Sequence, residues 1–565
     1  MSASRKLLLA CAALLCCVPR SQAEDAAAFD IVITNGHIID GTGSPWYSGD
    51  VGIRGGQVAA IGNLAASARA RTIDAHGMVV APGFIDMLGQ SELTILVDPR
   101  LPSKIYQGIT TEITGEGGSA APQNDAVRRE GSRGCAHLRI DCDWSTFGQY
   151  FARLEKRGMG INLASYVGAT QVREVVIGYD DKAPTPAQLE QMKQLVREAM
   201  QDGAVGVSTS LEYPPAPYAK TDEIIALAAE AAPYGGIYAT HMRSEGDAIS
   251  ASLEETFRIG REAHVPVEIW HLKVAGKQNW GRMGEVVAKI DAARASGLDV
   301  SADTYAYTAW SNDLSAFIPP WAHDGGKDKL IARLKDPATR ARIRKDLLTP
   351  STTWDNEWNE ISGPEDIMIT SALNPELVKF QGKRLHEIAA AWHKEPMDAL
   401  FDFLIADRAE SYCAVFGMSE PDVTLGLQQP WMSINNDSEG ASPEGVLGED
   451  HPHPRAYGTF PRILRKYVRE EHRLTLEDAI RKFSALPAQR MRLGDRGLLR
   501  ENMWADIVVF DPTTIHDVAT YDNPNQLSQG MEYVLVNGKL VIDGGAMTGQ
   551  LPGRVLRGGG YKPAP

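Results

Sequence analysis

The sequence predicts an α/β protein: a (β/α)8 TIM-like barrel with a small β-sandwich domain built from both chain ends. Two observations carry this prediction. Short apolar strands alternate with helical patterns through the interior, which is typical of a parallel barrel. The two ends, DIVITNGHIIDGTG (30–43) and YVLVNGKLVIDGG (533–545), each place Asn-Gly between two β-branched runs, the pattern of a hairpin turn.

The terminal segments are expected to form one domain. ADIVVFDP (505–512) adds a further strand to the pattern at the carboxyl end. Because two distant segments share one pattern, they most simply join in one sandwich that flanks the interior. The predicted organisation is a β-sandwich part at 24–81, a barrel at 82–489 and a second sandwich part at 490–565.

The barrel strands are predicted from eight apolar segments. They lie at 78–88, 108–116, 160–170, 204–211, 236–245, 265–273, 298–307 and 430–438. Helical patterns such as 184–200 and 221–232 separate them. The span 313–429 is too long for one crossover and predicts an insertion over the barrel mouth.

Charge and the first residues bear on location and partners. The net charge of −15 argues against non-specific binding to nucleic acid or a membrane surface, which needs a basic face. Residues 1–23 have the pattern of a signal peptide: Arg5 and Lys6, an apolar run from 7 to 18, then small residues. That run is too short to span a bilayer. We therefore expect an exported protein, periplasmic or secreted, without a transmembrane segment.

The cysteines fit an oxidising compartment. Three of the six lie in the signal segment, which leaves Cys135, Cys142 and Cys413. Cys135 and Cys142 are close enough in sequence for a local disulfide, and Cys413 is then a lone buried thiol. Their spacing does not indicate a zinc ribbon.

The chemistry is expected at the carboxyl ends of the strands, where barrel enzymes have their active sites. The polar residues there are Glu116, His241, His271, Tyr305 and Asp437. Two neutral imidazoles and a carboxylate are a set that Zn²⁺ takes in catalytic sites, with the fourth position left for water. The ion activates that water and polarises a carbonyl, and Asp437 passes the proton to the leaving amine.

Each histidine alone has a simpler explanation, because a strand-end histidine is more often a hydrogen-bonded structural group. His241 and His271 follow consecutive strands, however, and Asp437 follows the last one. The combination favours the metal site.

The motifs also carry a resemblance. They are DIVITNGHIIDGTG, APGFID, GITTEITGEGG, ATHMRSEGD (239–247), HLKVAGKQNWGRM (271–283), DTYAYTAWS (303–311), HPHPRAYGTFPRIL (451–464) and ADIVVFDP. From about 29 to 560 the chain resembles the amidohydrolase superfamily, in its D-aminoacylase (N-acyl-D-amino-acid deacylase) branch. The resemblance implies zinc and hydrolysis of an N-acyl bond on an amino acid. It also implies that His241 and His271 hold the tight metal and that Asp437 is the catalytic aspartate.

Four further residues fall on family positions that hold the substrate carboxylate: Lys273, Tyr305, Ser311 and Arg455. Arginine suits this role because its guanidinium binds a carboxylate in a bidentate fork, and Lys273 adds a second charge. The alternatives are a surface ion pair for Arg455, a solvated strand end for Lys273 and a hydrogen bond to the barrel rim for the other two. The implied partner is a small N-acyl amino acid or dipeptide with a free carboxylate.

The chain departs from the family at the first strand. Leu88 and Gln90 stand where the family has two histidines, and Gly117 stands where it has a bridging cysteine. Leucine cannot ligate and an amide is a poor zinc ligand, so we expect one metal ion per chain. Glu116 is the candidate third ligand, with Glu112 and Glu92 as alternatives. Zn²⁺ is the first choice of ion, and Mn²⁺ or Fe²⁺ also suit this ligand set.

The leading prediction of function is an exported, metal-dependent hydrolase that cleaves N-acyl-D-amino acids or related dipeptides. A second possibility is an amidohydrolase that acts on a different amide or a cyclic amide, because one fold hosts many chemistries. A third is a catalytically degenerate barrel that binds a carboxylate ligand without hydrolysing it, which the loss of the first-strand histidines suggests.

Overall fold

The computed structural model describes residues 28–563. The predicted signal peptide lies outside these residues. Among the described residues, no helix is both long and apolar enough to cross a membrane.

The strands in chain order are β1 Phe29–Ile38, β2 Tyr47–Arg54, β3 Gln57–Gly62, β4 Arg69–Asp74, β5 Val79–Pro82, β6 Phe84–Asp86, β7 Ile109–Thr114, β8 Asn162–Ser165, β9 Val167–Gly168, β10 Gly206–Ser210, β11 Ile237–His241, β12 Val267–Ile269, β13 Val300–Thr304, β14 Trp310–Asp313, β15 Ile367–Ser371, β16 Tyr412–Val415, β17 Met432–Ile434, β18 Ile507–Phe510, β19 Met531–Val536, β20 Lys539–Asp543 and β21 Ala546–Met547.

The α-helices are α1 Thr94–Val97, α2 Pro102–Ile105, α3 Asp125–Glu130, α4 Ser132–His137, α5 Phe147–Arg157, α6 Ala169–Val176, α7 Pro186–Asp202, α8 Thr221–Ala228, α9 Ile249–Ala263, α10 Met283–Ala295, α11 Lys327–Lys335, α12 Pro337–Leu347, α13 Glu357–Glu360, α14 Leu385–Trp392, α15 Pro396–Asp407, α16 Glu420–Leu427, α17 Arg455–Arg462, α18 Leu476–Phe483 and α19 Ala485–Arg490. A π-helical turn, Ile463–Glu470, extends α17. The long α7 begins where its sequence indicates: Thr185 caps it and Pro186 opens it.

The barrel is a ring of parallel strands. One sheet has the order β17-β13-β12-β11-β10-β9, and a second has the order β6-β7-β8. The strands β8 and β9 are successive parts of one segment, which joins the two sheets on one side. A parallel bridge between Gly89 and Ser438 joins them on the other side. The ring is therefore closed, and the predicted barrel is confirmed.

The first predicted strand, 78–88, is divided between two sheets. Its first half is β5, which belongs to the terminal sheet, and its second half is β6, the first barrel strand. Gly83 lies between them. A Cβ at this position would lie 2.2 Å from Thr110 Oγ1, so the close contact with β7 requires glycine.

The terminal sheet has nine strands from both ends of the described chain, in the order β21-β20-β19-β18-β5-β1-β2-β3, with β4 also paired to β1. It surrounds one apolar core that includes Ile33, Val51 and Val509. Asn537-Gly538 turns between β19 and β20 as predicted. The hairpin prediction at Asn35-Gly36 is wrong, because this pair lies inside β1 at a register shift against β2. The two end segments also do not pair directly, since β18 and β5 lie between them.

The predicted insertion, 313–429, forms a separate layer together with the strand β14 that precedes it. The strands β14, β16 and β15 make a small antiparallel sheet, which helices between α11 and α16 accompany. Asp355 Oδ2 accepts hydrogen bonds from the backbone N–H groups of Glu245 and Gly246, at 2.7 and 3.2 Å. These two residues follow β11, so this layer contacts the carboxyl ends of the barrel strands.

The cysteines are arranged as predicted. Cys135 and Cys142 form a disulfide. Cys413 is buried and free, and its Sγ lies 3.4 Å from Asn312 Oδ1.

Candidate metal site and its surroundings

The structure brings Glu116, His241 and His271 together. His241 Nδ1 lies 3.0 Å from His271 Nε2. Glu116 Oε1 lies 3.1 Å from His271 Nε2 and 3.3 Å from His241 Nδ1. Ligand atoms around a tetrahedral zinc ion, with bonds of about 2.0–2.2 Å, are roughly 3.4 Å apart. The three atoms therefore fit one ion with a small expansion.

The other two candidate carboxylates have different partners. Glu92 Oε1 accepts a hydrogen bond from Gly115 N at 2.7 Å. Glu112 Oε1 lies 3.1 Å from Lys104 Nζ and also accepts from Ser91. Neither belongs to the groups of potential metal ligands among the described residues. Of the three candidates, Glu116 is therefore the carboxylate that lies beside the two histidines.

A second group of potential ligands shares His241. Glu212 Oε2 lies 2.7 Å from His241 Nε2, and Glu245 Oε2 lies 3.8 Å from the same nitrogen. A neutral imidazole has one nitrogen with a free lone pair and one N–H. If His241 Nδ1 faces an ion beside Glu116, then Nε2 carries the proton and donates it to Glu212.

His271 also has a carboxylate close to its outer ring nitrogen, but without a hydrogen bond between them. Its Nε2 faces Glu116, whereas its Nδ1 lies 3.1 Å from Glu245 Oε1. Lys273 Nζ also lies close, 2.9 Å from that Nδ1. A carboxylate behind each ligating histidine fixes its tautomer and ring orientation in metal sites generally. Glu212, hydrogen-bonded to His241 Nε2, therefore suits an orienting role, whereas Glu245 pairs with Lys273 beside His271.

The charges of this cluster are strongly coupled. Burial alone raises the pKa of Glu116, but hydrogen bonds with His241 and His271 outweigh it and hold that pKa well below its ordinary value. Burial lowers the pKa of His241, and the carboxylates of Glu245, Glu116 and Glu212 more than reverse this, so the net shift is upward. The site attracts a cation, which is the electrostatic requirement for holding a metal.

Asp437 follows β17 and has three defined contacts. Its backbone N–H donates to Leu88 O at 2.9 Å. Its Oδ1 accepts from Gln90 Nε2 at 3.1 Å, and its Oδ2 lies 2.8 Å from Arg455 Nη1. Burial raises the pKa of Asp437, and the charges of Arg455 and His271 partly offset this.

Arg455 is buried at the start of α17. Its guanidinium lies 4.7 Å from the ring centroid of Tyr305, and its Nη2 donates to the backbone carbonyl of Ser311 at 3.2 Å. Its Nε is buried without a hydrogen-bond partner among the described residues. The structure therefore brings these three predicted residues together beside Asp437, with Ser311 contributing a backbone group.

Lys273 is also buried, contrary to the solvated alternative. It forms an ion pair with Glu245 and lies beside His271. Burial disfavours its charge, but the attraction of Glu245 is stronger and holds the pKa of Lys273 above its ordinary value. Burial raises the pKa of Tyr305 to about 12.

Leu88 and Gly117, two residues at which the chain departs from the family, are both fixed by their packing. Leu88 is fully buried and packs in an apolar cluster with Ile113 and Trp270. Gly117 adopts φ +66°, and a Cβ on it would lie 2.5 Å from Ser210 Cβ. A cysteine side chain does not fit there without a backbone shift. At these two positions the chain therefore offers an apolar side chain and a glycine, and neither has a side-chain atom that can bind a metal.

Two groups of functional interest were absent from the sequence prediction. Glu212 lies two residues after β10, so the strand-end rule that gave Glu116 would also have found it. Glu245 stands inside the ATHMRSEGD motif, four residues after His241. Nothing in their type alone distinguishes them from solvated carboxylates.

Comparisons with known proteins identify the family of this chain. The pattern of the amidohydrolase family matches residues 71–345 and 446–542. A D-aminoacylase from Alcaligenes xylosoxydans xylosoxydans is 36% identical over 540 residues, which cover 94% of this chain and 98% of the relative. An N-acyl-D-glutamate deacylase of the same organism is 36% identical over 535 residues, covering 94% and 96%.

Solved structures give the same result. A D-aminoacylase described by its binuclear metal centre, with one-metal activation and second-metal attenuation, has a TM-score of 0.78 at 35% identity. The N-acyl-D-glutamate deacylase of Bordetella bronchiseptica, complexed with zinc and a phosphonate inhibitor, has a TM-score of 0.78 at 34% identity. Each match covers 94% of this chain and 100% of the other chain. The protein belongs to the amidohydrolase family, in its N-acyl-D-amino-acid deacylase branch, and is an amidohydrolase that acts on amide bonds.

Proposed function

We propose that the protein is an exported, one-metal hydrolase that releases an amino acid, of D configuration, from its N-acyl form or from a related dipeptide. The observation that carries this proposal is the cluster of Glu116, His241 and His271, with Asp437 held beside it. The relatives named above act on N-acyl-D-amino acids, which supports the substrate class.

The residues divide the chemistry between them. When bound by Glu116, His241 and His271, a Zn²⁺ ion supplies Lewis acidity for the amide carbonyl and lowers the pKa of water. Asp437 accepts the proton of the attacking water and delivers it to the leaving amine. Burial raises the pKa of Asp437, which suits a carboxylate that must carry a proton for part of the cycle.

Arg455 and Lys273 are proposed to bind the substrate carboxylate. The buried Nε of Arg455 has no partner among residues 28–563, so a donor is available for an incoming anion. A substrate carboxylate that pairs with this guanidinium competes with Asp437 Oδ2, now 2.8 Å from Nη1. Substrate binding would therefore release the base from its ion pair at the moment when it is needed.

Three finer statements are part of the proposal. One ion is expected because the first strand offers Leu88 and Gln90, and one-metal activation is described for a similar D-aminoacylase. Zn²⁺ is preferred because two imidazoles and a carboxylate suit it, and a similar structure holds zinc. Export to the periplasm or beyond is supported by the disulfide between Cys135 and Cys142.

The test is a substrate panel with zinc-loaded protein. N-acetyl-D-amino acids, their L enantiomers, dipeptides and cyclic amides are compared by release of free amine. We expect turnover of the D series or of dipeptides, and a loss of about 10²–10⁴ in kcat for Asp437→Asn with zinc retained. Turnover of cyclic amides alone would indicate the second activity predicted above. Absence of turnover on every amide, with zinc and a carboxylate ligand bound, would indicate a degenerate barrel.

A further inference from the structure

The side chain of Gln90 joins the two carboxylates on which the site depends. Its Nε2 lies 2.7 Å from Glu116 Oε2 and 3.1 Å from Asp437 Oδ1. A primary amide has two N–H groups, and both are used here. One oxygen of each carboxylate thus accepts a hydrogen bond from Gln90. The other oxygen has a different neighbour: Glu116 Oε1 lies beside the histidines, and Asp437 Oδ2 lies beside Arg455.

The position of Gln90 is fixed by the closure of the barrel. Its backbone N–H donates to Ser438 O at 3.0 Å, directly after Asp437. Gly89 N donates to Ile113 O at 2.8 Å, in the strand that leads to Glu116. The backbone of Gln90 and of the residue before it is therefore tied to the same two segments that the Gln90 side chain joins.

The repulsion between the two carboxylates explains the role of this amide. Two carboxylate oxygens that face a common point repel each other unless a proton, a cation or a hydrogen-bond donor lies between them. A divalent cation between Glu116 Oε2 and Asp437 Oδ1 would satisfy both. The amide satisfies them without a charge, and its nitrogen has no lone pair available to bind a metal.

We propose that Gln90 is a positioning residue: its amide group clamps Glu116 and Asp437 and occupies the place of a second metal ion. This inference rests on the proposed one-metal function. It adds that the site excludes a second ion because a neutral donor already bridges the two carboxylates, and that this bridge sets the distance between the metal ligand and the proton-transfer group.

The test measures zinc stoichiometry and kinetics in the full chain. Metal-free protein is titrated with Zn²⁺ by calorimetry, for the wild type, Gln90→His and Gln90→Met. We expect one ion for the wild type and for Gln90→Met, and two for Gln90→His, whose imidazole joins the freed carboxylates as a ligand. Gln194→His, on the exposed face of α7, is the control and should bind one ion.

The values of kcat and KM distinguish a positioning role of Gln90 from a general role in the stability of the fold. Gln90→Met fills a similar volume without donors, so kcat should fall about tenfold or more while KM changes little, because Asp437 is displaced and Arg455 is not. Two ions in the wild type, one ion in Gln90→His, or unchanged kcat in Gln90→Met would each overturn the inference. Failure of the proposed function gives a different result: no ion, or no turnover, in the wild type itself.

Discussion

Lys104 Nζ lies 2.9 Å from Asp86 Oδ2, and both side chains are fully buried beneath the candidate site. The same ammonium donates to Asn436 Oδ1 at 2.7 Å and to Ser438 O at 2.8 Å. The residues on either side of Asp437 are therefore fixed to the first barrel strand by one buried charge. Burial would lower the pKa of Lys104, but Asp86 and Glu112 more than compensate and raise it.

Replacing Lys104 by methionine should destabilise the protein strongly. The substitution leaves Asp86 and Glu112 buried without their cation, and breaking a buried ion pair costs about 3–5 kcal/mol. The free energy of unfolding from urea denaturation checks this. Lys289→Met is the matched control, because Lys289 pairs with Glu254 on the surface and should cost at most about 1 kcal/mol. Equal losses for the two variants would contradict the assignment.

Glu116→Gln should abolish retention of the metal. The amide is a poor zinc ligand, so only two imidazoles remain. Elemental analysis after dialysis measures the ion per chain. Glu92→Gln is the control: burial raises the pKa of Glu92 to about 8, so its carboxyl is already neutral at pH 7 and glutamine imitates it. If Glu92→Gln loses the metal and Glu116→Gln keeps it, the third ligand has been misassigned.

Glu212→Leu should weaken zinc binding by about 10–100-fold, because His241 loses the acceptor that fixes its tautomer. Glu212→Gln retains an acceptor oxygen and should have a smaller effect. Competition with a chelating dye gives the affinities. Glu255→Leu removes a carboxylate that pairs with Arg243 instead, and it should leave the affinity unchanged. Unchanged zinc affinity in Glu212→Leu would contradict this role of Glu212.

Arg455→Lys should lower kcat/KM by about 100-fold for a substrate with a free carboxylate, because lysine cannot form the bidentate pair. For the corresponding carboxamide the loss should be much smaller. The comparison cancels those effects of the substitution on Asp437 that do not depend on the charge of the substrate. Equal losses on the two substrates would place the carboxylate elsewhere.

Stability should fall between pH 6.5 and 4 because of His323. Burial lowers the pKa of His323 from 6.5 to about 4, and its Nε2 has no hydrogen-bond partner within residues 28–563. As the pH falls, the unfolded chain binds the proton before the folded chain does. The contribution of neutral His323 to the free energy of unfolding is therefore complete above pH 6.5 and declines below it. Between pH 7 and 5 the loss is roughly 2 kcal/mol.

Urea unfolding at the two pH values measures this difference. His323→Gln should flatten the dependence by that amount, whatever its effect at pH 7. His76→Gln, at a position whose side chain is 76% exposed, should not change it. An unchanged slope in His323→Gln would show that other groups cause the acid sensitivity.

The convergence of Glu116, His241 and His271 was predictable because parallel strands in a closed barrel present their carboxyl ends at one mouth. Each residue lies at the end of its own apolar segment, and these segments can be recognised in the sequence as short apolar runs. The same rule, applied to every strand, reaches Glu212. The role of Lys104 was not predictable, since its partners Asn436 and Ser438 lie more than 300 residues away.

Predictions from local sequence patterns were wrong where contacts with distant residues determine the local structure. Asn35 takes φ +56° as a hairpin residue would, but its side chain donates to Asp74 and β1 continues past it as a bulge. The division of 78–88 into two strands depends on Thr110, which packs against Gly83. Neither contact has a signature in the segment itself.

The pairing of β5 with β18 has a consequence for how the chain is made. Residues 79–82 acquire their antiparallel neighbour only from residues 507–510, after several hundred intervening residues have been synthesised. Until then β5 presents an unpaired apolar edge directly before the first barrel strand, and such edges promote association between chains. The entropy of closing so long a loop also favours slow folding. A nascent chain thus depends on a segment near its carboxyl end to pair the strand that directly precedes the barrel.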